Sequence, residues 1–315
     1  VPDHSVLLCG EPFKPLDRFA LDLPWPLVVV DRPADIPRLE HSTRSTIKVM
    51  GHRGKHGVSA QTFDWLPELK LIANFGAGYD DIDIKAANAR GIKITNTPCV
   101  LSDDVADLAV AMLLALTRDL VPGDHLVRSG RWSSGQTLPF NRSVLGKRVG
   151  ICGLGRIGRE IALRLQAFKM EVHYHSRTEK VAPGWTFHPD PISLAQAVDF
   201  YVIALIGGDD TLNYVSREAI AALRSDSVIV NVSRGSVIDE DALIASLETK
   251  QIAGAALDVF QNEPSIDRRF LQLENVLLQP HHASSTVESR EKMAELQFAN
   301  IRAFMEGRAL LTPVT

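Results

Sequence analysis

Lys147-Arg148-Val149-Gly150-Ile151-Cys152 reads as a short strand and runs without a break into Gly153-Leu154-Gly155-Arg156-Ile157-Gly158. A helical pattern follows, with Ile161, Leu165 and Phe168 spaced to share one face. Glycines at these intervals between a strand and a helix constrain the fold more than any other feature of the chain. The first permits a tight turn, the second lets a pyrophosphate approach the backbone, and the third lets the helix pack closely on the sheet. Free N–H groups at the helix N-terminus then face the phosphates. Gly153, Leu154, Gly155, Arg156, Ile157 and Gly158 are therefore the candidate dinucleotide-binding residues. Which dinucleotide is decided at the end of the next strand, where NAD sites place an acid for the ribose 2′-OH. Here Glu171-Val172-His173-Tyr174 leads into His175-Ser176-Arg177-Thr178, with no acid before Glu179. A carboxylate would repel a 2′-phosphate. Arg177 can pair with one through two N–H groups, and the hydroxyls of Ser176 and Thr178 can donate to it. The pattern favours NADP, with NAD the weaker ligand.

Short β-branched runs alternate with helical stretches along the whole chain, at 6–9, 27–31, 46–50, 71–74 and 92–95, then at 148–152, 172–175, 200–205, 228–232, 254–259 and 276–278. Strands of this length between helices imply βαβ units, and two series imply two doubly wound parallel-sheet, Rossmann-like domains. Asn96-Thr97-Pro98 is turn chemistry, and Ser102 with Asp103 and Asp104 suits a helix start. The helix that follows, to about residue 120, is apolar on nearly every face, from Val105 through Leu108, Val110, Met112 and Leu113 to Leu116. It needs cover all round, which points to a core helix between domains and to a homodimer built on it. A helix over 286–306 can carry the chain back to the first domain. The expected division is 1–97 plus 284–315 for one domain and 98–283 for the dinucleotide-binding domain.

Composition excludes several classes. Hydrophobic residues make up 45% and charged residues 23% of the 315, and Lys plus Arg total 34 against 38 Asp plus Glu, a net charge of −4. That balance and the lack of a basic block argue against nucleic acid and membrane surfaces as partners. The apolar run at 108–116 falls far short of the ~20 residues that cross a bilayer. Asp3 and His4 ahead of Val6-Leu7-Leu8 do not resemble a signal peptide. Three cysteines in dissimilar contexts (Cys9, Cys99, Cys152) read as buried thiols of a reducing, cytoplasmic compartment, with neither a disulfide framework nor a metal site.

Three more segments lie at strand ends, where open α/β sheets bind ligands. They are Asn231-Val232-Ser233-Arg234-Gly235, then Ala256-Leu257-Asp258-Val259-Phe260 leading to Asn262-Glu263-Pro264, then Leu278-Gln279-Pro280-His281-His282-Ala283-Ser284. Singly, each could be structural. Together, and in this order after the glycine motif, they resemble the D-isomer-specific 2-hydroxyacid dehydrogenase family. The similarity also takes in Asn74-Phe75-Gly76-Ala77-Gly78-Tyr79-Asp80, Asp103-Asp104-Val105-Ala106-Asp107 and Gly130-Arg131-Trp132. Ser176-Arg177-Thr178 and His281-His282-Ala283-Ser284 resemble the NADP-preferring glyoxylate/hydroxypyruvate and hydroxyphenylpyruvate reductases of that family.

The resemblance implies a catalytic set of Arg234, Glu263 and His281, acting in a cleft between the domains. His281 would protonate the keto oxygen as hydride arrives, a task suited to a group titrating near working pH. Glu263 would hold the other ring nitrogen and favour the charged form. Arg234 would take the substrate carboxylate, helped by backbone N–H groups at Ala77 and Gly78. Val232 and Asp258 would hold the nicotinamide end, and His282 would point away. The implied activity is reduction of a 2-oxo acid to the D-2-hydroxy acid, with glyoxylate or hydroxypyruvate first, and a keto-sugar acid or phenylpyruvate second. Oxidation of formate is disfavoured by Glu263, where such enzymes carry glutamine. A nucleotide-sensing protein of the same fold is the reading from another class, and it has no need of the full Arg234, Glu263 and His281 set. Departures from the family pattern are Lys169 at a helix end usually closed by glycine, and Leu205-Ile206-Gly207-Gly208-Asp209-Asp210 in place of a proline-bearing loop. Gly51-His52-Arg53-Gly54-Lys55-His56-Gly57 is a basic loop, read either as solvated or as facing a second polar end of the substrate.

Overall fold

Strands apolar at every position must be covered on both faces, and helix-flanked parallel sheets do so. The computed structural model describes residues 4–10, 14–54 and 56–314, without the side chains of 14–17. The chain divides into two compact units, Val1–Leu101 with Ser284–Thr315, and Ser102–Ala283. The first unit holds β1 (Ser5–Cys9), β2 (Leu27–Val30), β3 (Ile47–His52), β4 (Leu71–Asn74) and β5 (Lys93–Thr95). They form a five-stranded sheet in the order β2-β1-β3-β4-β5, parallel throughout. Alternation sorts the side chains. Val6 and Leu8 share one face with Val49, Leu71 and Ala73, while Leu7 and Cys9 lie opposite with Ile47 and Met50. The first face is closed by Ala294, Phe298 and Ile301 of the C-terminal helix, Val287–Met305. Thr286 caps that helix by accepting the Ser289 N–H at 3.1 Å.

The second unit holds β6 (Arg148–Cys152), β7 (Glu171–His175), β8 (Thr186–His188), β9 (Phe200–Ile203), β10 (Val228–Asn231), β11 (Gly254–Leu257) and β12 (Val276–Leu278). Their order is β12-β11-β10-β9-β6-β7-β8, again all parallel. The winding reverses at β6, so its carboxyl end faces a crevice beside β9, where ligands of such sheets bind. β8 is an addition to the strands expected; its three residues carry too little apolar pattern to stand out.

Three expectations need correction. The apolar helix spans Ser102–Thr117 and stops short of residue 120, because Asp119 adopts a left-handed conformation (φ 50°) and a new helix, Leu120–Arg128, begins. Its Val105, Ala106, Ala109, Val110, Met112 and Leu113 are buried within its own unit, and Leu116 packs on Gly254 of β11. The exposed apolar surface lies in the segment after it. Phe168 does not share the buried face of Ile161 and Leu165: the helix Arg156–Ala167 ends before it and Phe168 is 43% exposed. Lys169 then takes φ 62°, the left-handed turn glycine usually makes. Third, Cys99 is exposed, whereas Cys9 and Cys152 are buried and burial pushes both thiols up to about 12. Among the described residues no helix is long and apolar enough to cross a membrane.

Candidate active site

The glycine turn after β6 fits a dinucleotide, and each glycine has its own reason. Gly153 (φ 107°) lies against the end of β9, where an added Cβ would stand 2.7 Å from the Ala204 carbonyl oxygen. On Gly158 a Cβ would be 2.1 Å from the Gly153 oxygen, so helix and turn touch backbone to backbone. Gly155 has nothing within 4 Å of the same point, which leaves open space at the helix N-terminus. Two crowded glycines and one open one make a cradle in which a pyrophosphate fits above free N–H groups. Leu154 is buried beneath it, while Arg156 is exposed and Ile157 half-buried.

At the end of β7 the turn bearing Arg177 is held from behind. Tyr174 Oη accepts the Lys180 N–H and donates to the Lys180 carbonyl, both at 3.0 Å. Ser176 Oγ donates to the Thr178 carbonyl at 2.6 Å. Its hydroxyl can rotate between this carbonyl and another partner. The side chains of Arg177 and Thr178 are exposed.

The chemical residues converge at the ends of β10, β11 and β12. Asn231, fully buried, ties the first turn: its Oδ1 accepts the Ser233 N–H and its Nδ2 donates to the Arg234 carbonyl, both at 3.0 Å. Gly235 then meets the next turn without a side chain between them, since a Cβ there would lie 1.9 Å from the Phe260 carbonyl carbon. Glu263 is fixed from both ends. Its Oε1 accepts the Phe260 N–H at 2.8 Å and its Oε2 lies 2.6 Å from His281 Nδ1. Burial pushes the Glu263 carboxyl upward, but the hydrogen bond and charge of His281, the Phe260 N–H and the Arg234 charge outweigh it, so its pKa lies below the usual carboxylate value. It is a carboxylate at working pH, and with Nδ1 committed to it His281 keeps Nε2 to give or take a proton.

Asp258 sits under the histidine turn, 1% exposed. Its carboxylate accepts the N–H groups of His282 at 2.6 Å and Ala283 at 3.0 Å, and its carbonyl accepts that of His281 at 2.8 Å. Burial raises its pKa and these two N–H bonds only partly offset that. The three bonds hold His281 at φ 54°, a conformation that a histidine keeps only when its surroundings impose it. Val232 is buried at the end of β10, and His282 is exposed. The second unit thus brings together Arg234, Glu263, His281, Asp258 and Val232. Ala77 and Gly78 belong to the other unit, in the turn after β4.

Sequence reasoning passed over Asn231 and Gly235, whose signal was a glycine immediately following the strand-end arginine. It also passed over Glu240, whose Oε2 accepts the Gln261 N–H at 2.9 Å and steadies the same turn. In the basic loop His52 is no solvated charge. It is 1% exposed and its Nε2 lies 2.7 Å from Asp81 Oδ2, while Lys55 lies outside the described residues. Among the described residues no cluster of three metal-ligating side chains occurs.

Comparison with known proteins agrees with this geometry. The family described as D-isomer specific 2-hydroxyacid dehydrogenase, NAD binding domain, matches residues 110–283. The chain is 45% identical to a 2-ketogluconate reductase of Gluconobacter oxydans over 83% of this chain and 84% of that one. It is 42% identical to a glyoxylate/hydroxypyruvate reductase of Arabidopsis thaliana over 86% of each. Among solved structures, an NADPH-dependent glyoxylate/hydroxypyruvate reductase from Sinorhizobium meliloti, in complex with NADP and malonate, superposes with a TM-score of 0.94 at 37% identity, covering 99% of this chain and 97% of that one.

The cradle is testable directly. Gly158→Ala places a methyl group against the Gly153 carbonyl and should weaken dinucleotide binding by roughly ten- to a hundredfold, the range expected from forced overpacking. Fluorescence titration of the purified proteins measures it, and unchanged affinity would contradict the cradle.

Proposed function

The chain belongs to the D-isomer specific 2-hydroxyacid dehydrogenase family, a family of oxidoreductases, and we propose that it moves hydride from NADPH to the keto carbon of a small 2-oxo acid, giving the D-2-hydroxy acid. The observation that carries the proposal is the 2.6 Å pair of His281 and Glu263 under the influence of Arg234, on the unit that bears the glycine cradle. A nucleotide sensor has no use for such a proton donor. The names of the Arabidopsis and Sinorhizobium relatives favour glyoxylate or hydroxypyruvate as substrate. A keto-sugar acid is the second reading, supported by the identity to the Gluconobacter reductase.

In this reading the cradle holds the pyrophosphate and Arg177, with Ser176 and Thr178, takes the 2′-phosphate. Val232 and Asp258 border the nicotinamide end. Bound there, the reduced nicotinamide supplies the hydride. Arg234 binds the substrate carboxylate through its planar fork and polarises the carbonyl beside it. Ala77 and Gly78 offer their N–H groups to the substrate carboxylate, which makes their unit the substrate domain. His281 gives its Nε2 proton to the keto oxygen as negative charge develops there. Glu263 keeps the ring oriented through Nδ1 and sets a negative charge beside it.

Assembly as a homodimer belongs to the same proposal. Leu120, Val121, Val127, Trp132, Phe140 and Leu145 are each more than half exposed within one stretch of 26 residues, with Phe140 fully so. A patch of this kind is a normal place for a second copy to bind. Light scattering at micromolar concentration should give twice the 34.6 kDa of one chain, and a monomer would refute the dimer.

Initial rates over small 2-oxo acids with NADPH and NADH test the activity. NADPH should give the higher kcat/KM, and Arg177→Ala should cut that preference about tenfold or more while sparing NADH, as expected for lost charge-assisted hydrogen bonds. Equal use of NADH by the native protein would remove the assignment.

The proton donor is tested through its partner. Glu263→Gln keeps a hydrogen-bonding group but removes the charge beside the ring, so it should lower reductive kcat by about tenfold or more with NADPH affinity unchanged. His281→Ala should slow the chemical step by roughly 10²–10⁴ with NADPH affinity unchanged. Undiminished kcat in Glu263→Gln would take Glu263 out of its role, and undiminished rate in His281→Ala would do the same for His281.

A further inference from the structure

The turn after β4 carries Ala77 and Gly78, to which the proposed function gives the substrate carboxylate; the inference below rests on that reading. Two asparagine side chains that the reaction itself does not use fix this turn. Asn74, 2% exposed at the end of β4, donates from Nδ2 to the Gly78 carbonyl at 2.8 Å and reaches the Gly76 carbonyl at 3.4 Å. Asn96, beyond β5, donates from Nδ2 to the Ala77 carbonyl at 2.8 Å. The Thr97 N–H adds a 2.9 Å bond to the Gly76 carbonyl. Three consecutive carbonyls are thereby tied down.

In a trans peptide the N–H points opposite to the C=O of the same plane. Holding the carbonyls of Gly76 and Ala77 therefore turns the N–H groups of Ala77 and Gly78 away from the two asparagines. Among the described residues neither N–H meets an acceptor, and both residues are only half-buried. Adjacent backbone donors held in this way form an anion-binding concavity. Asn96 is itself braced from the C-terminal helix. Its carbonyl accepts from Thr312 Oγ1 at 2.6 Å, Thr312 Oγ1 accepts from Asn300 Nδ2 at 3.0 Å, and Asn300 Oδ1 accepts the Leu311 and Thr312 N–H groups at 2.9 and 3.2 Å. Asn300 is fully buried. A carbonyl can be held only by a donor, so an amide does what a carboxylate of the same shape cannot.

We propose that Asn74 and Asn96 are positioning residues for the substrate carboxylate. They hold the Ala77 and Gly78 N–H groups ready before substrate arrives, and neither touches the reacting atoms. Preorganised donors spare the cost of ordering on binding. The carboxylate is bound alike in ground and transition states, so loss of that order raises KM and leaves kcat nearly alone.

The test uses steady-state kinetics on the full chain with its best 2-oxo acid and NADPH, with oxamate as a competitive probe and NADPH affinity measured separately. Asn96→Ala and Asn74→Ala should each raise KM and the oxamate Ki about tenfold, with kcat within about threefold and NADPH affinity unchanged. Should Asn74→Ala fail to fold, Asn96→Ala, in a half-buried turn, carries the test alone. KM and Ki within about twofold of native would overturn the inference, as would a fall in kcat with Ki unmoved. A native protein that reduces no 2-oxo acid overturns the functional reading instead, a result seen before any variant is made.

Discussion

Two backbones meet at Gly235 with no side chain between them, and the chemistry of the second unit depends on that meeting. With a Cβ at 1.9 Å from Phe260, any other residue would push the turn after β10 off the turn after β11. Arg234 lies on one of these turns and Glu263 on the other, so the spacing of the two turns is set by backbone packed on backbone. Parallel strands make the arrangement possible, because all their carboxyl ends lie along one edge of the sheet. Asp258 extends it to the third turn by holding three successive N–H groups of the histidine segment. Charge is then added to a frame already fixed. Glu263 stays ionised in spite of its burial because His281 and Arg234 are held close to it.

Features carried by local order in the chain were legible from the residues alone. The strand–glycine–helix run announced the cradle because each glycine answers a steric demand within a few residues of itself. Alternating apolar segments announced two parallel sheets, since strands covered on both faces must be apolar throughout. Arg234, Glu263 and His281 became legible only through resemblance, as each could otherwise have been a surface or capping residue. What escaped was decided by side-chain hydrogen bonds and element ends that carry no periodicity. Asn74 holds carbonyls two and four residues on, Asn96 holds one 19 positions back, and nothing in the apolar pattern marks either bond. Phe168 was misplaced because the helix ends one residue earlier than its apolar spacing suggests.

The contrast between the two units is one of continuity. Ser102–Ala283 is a single stretch of chain, and the core cluster around Tyr201, Ile229 and Leu243 is built from residues of that stretch. The first unit is assembled from both ends of the described chain, and the two faces of its sheet differ in what closes them. Leu7, Ile47, Met50 and Ile72 are packed against Ile36, Phe63 and Leu66, all near neighbours in order of synthesis. Val6, Leu8, Val49, Leu71 and Ala73 wait for Ala294, Phe298 and Ile301. During translation the second unit can therefore finish folding while one side of the first sheet still lacks Ala294, Phe298 and Ile301. Strands made before the second unit are sealed only after it, and a chain cut before Val287 would keep the dinucleotide cradle while leaving an apolar sheet face short of its cover.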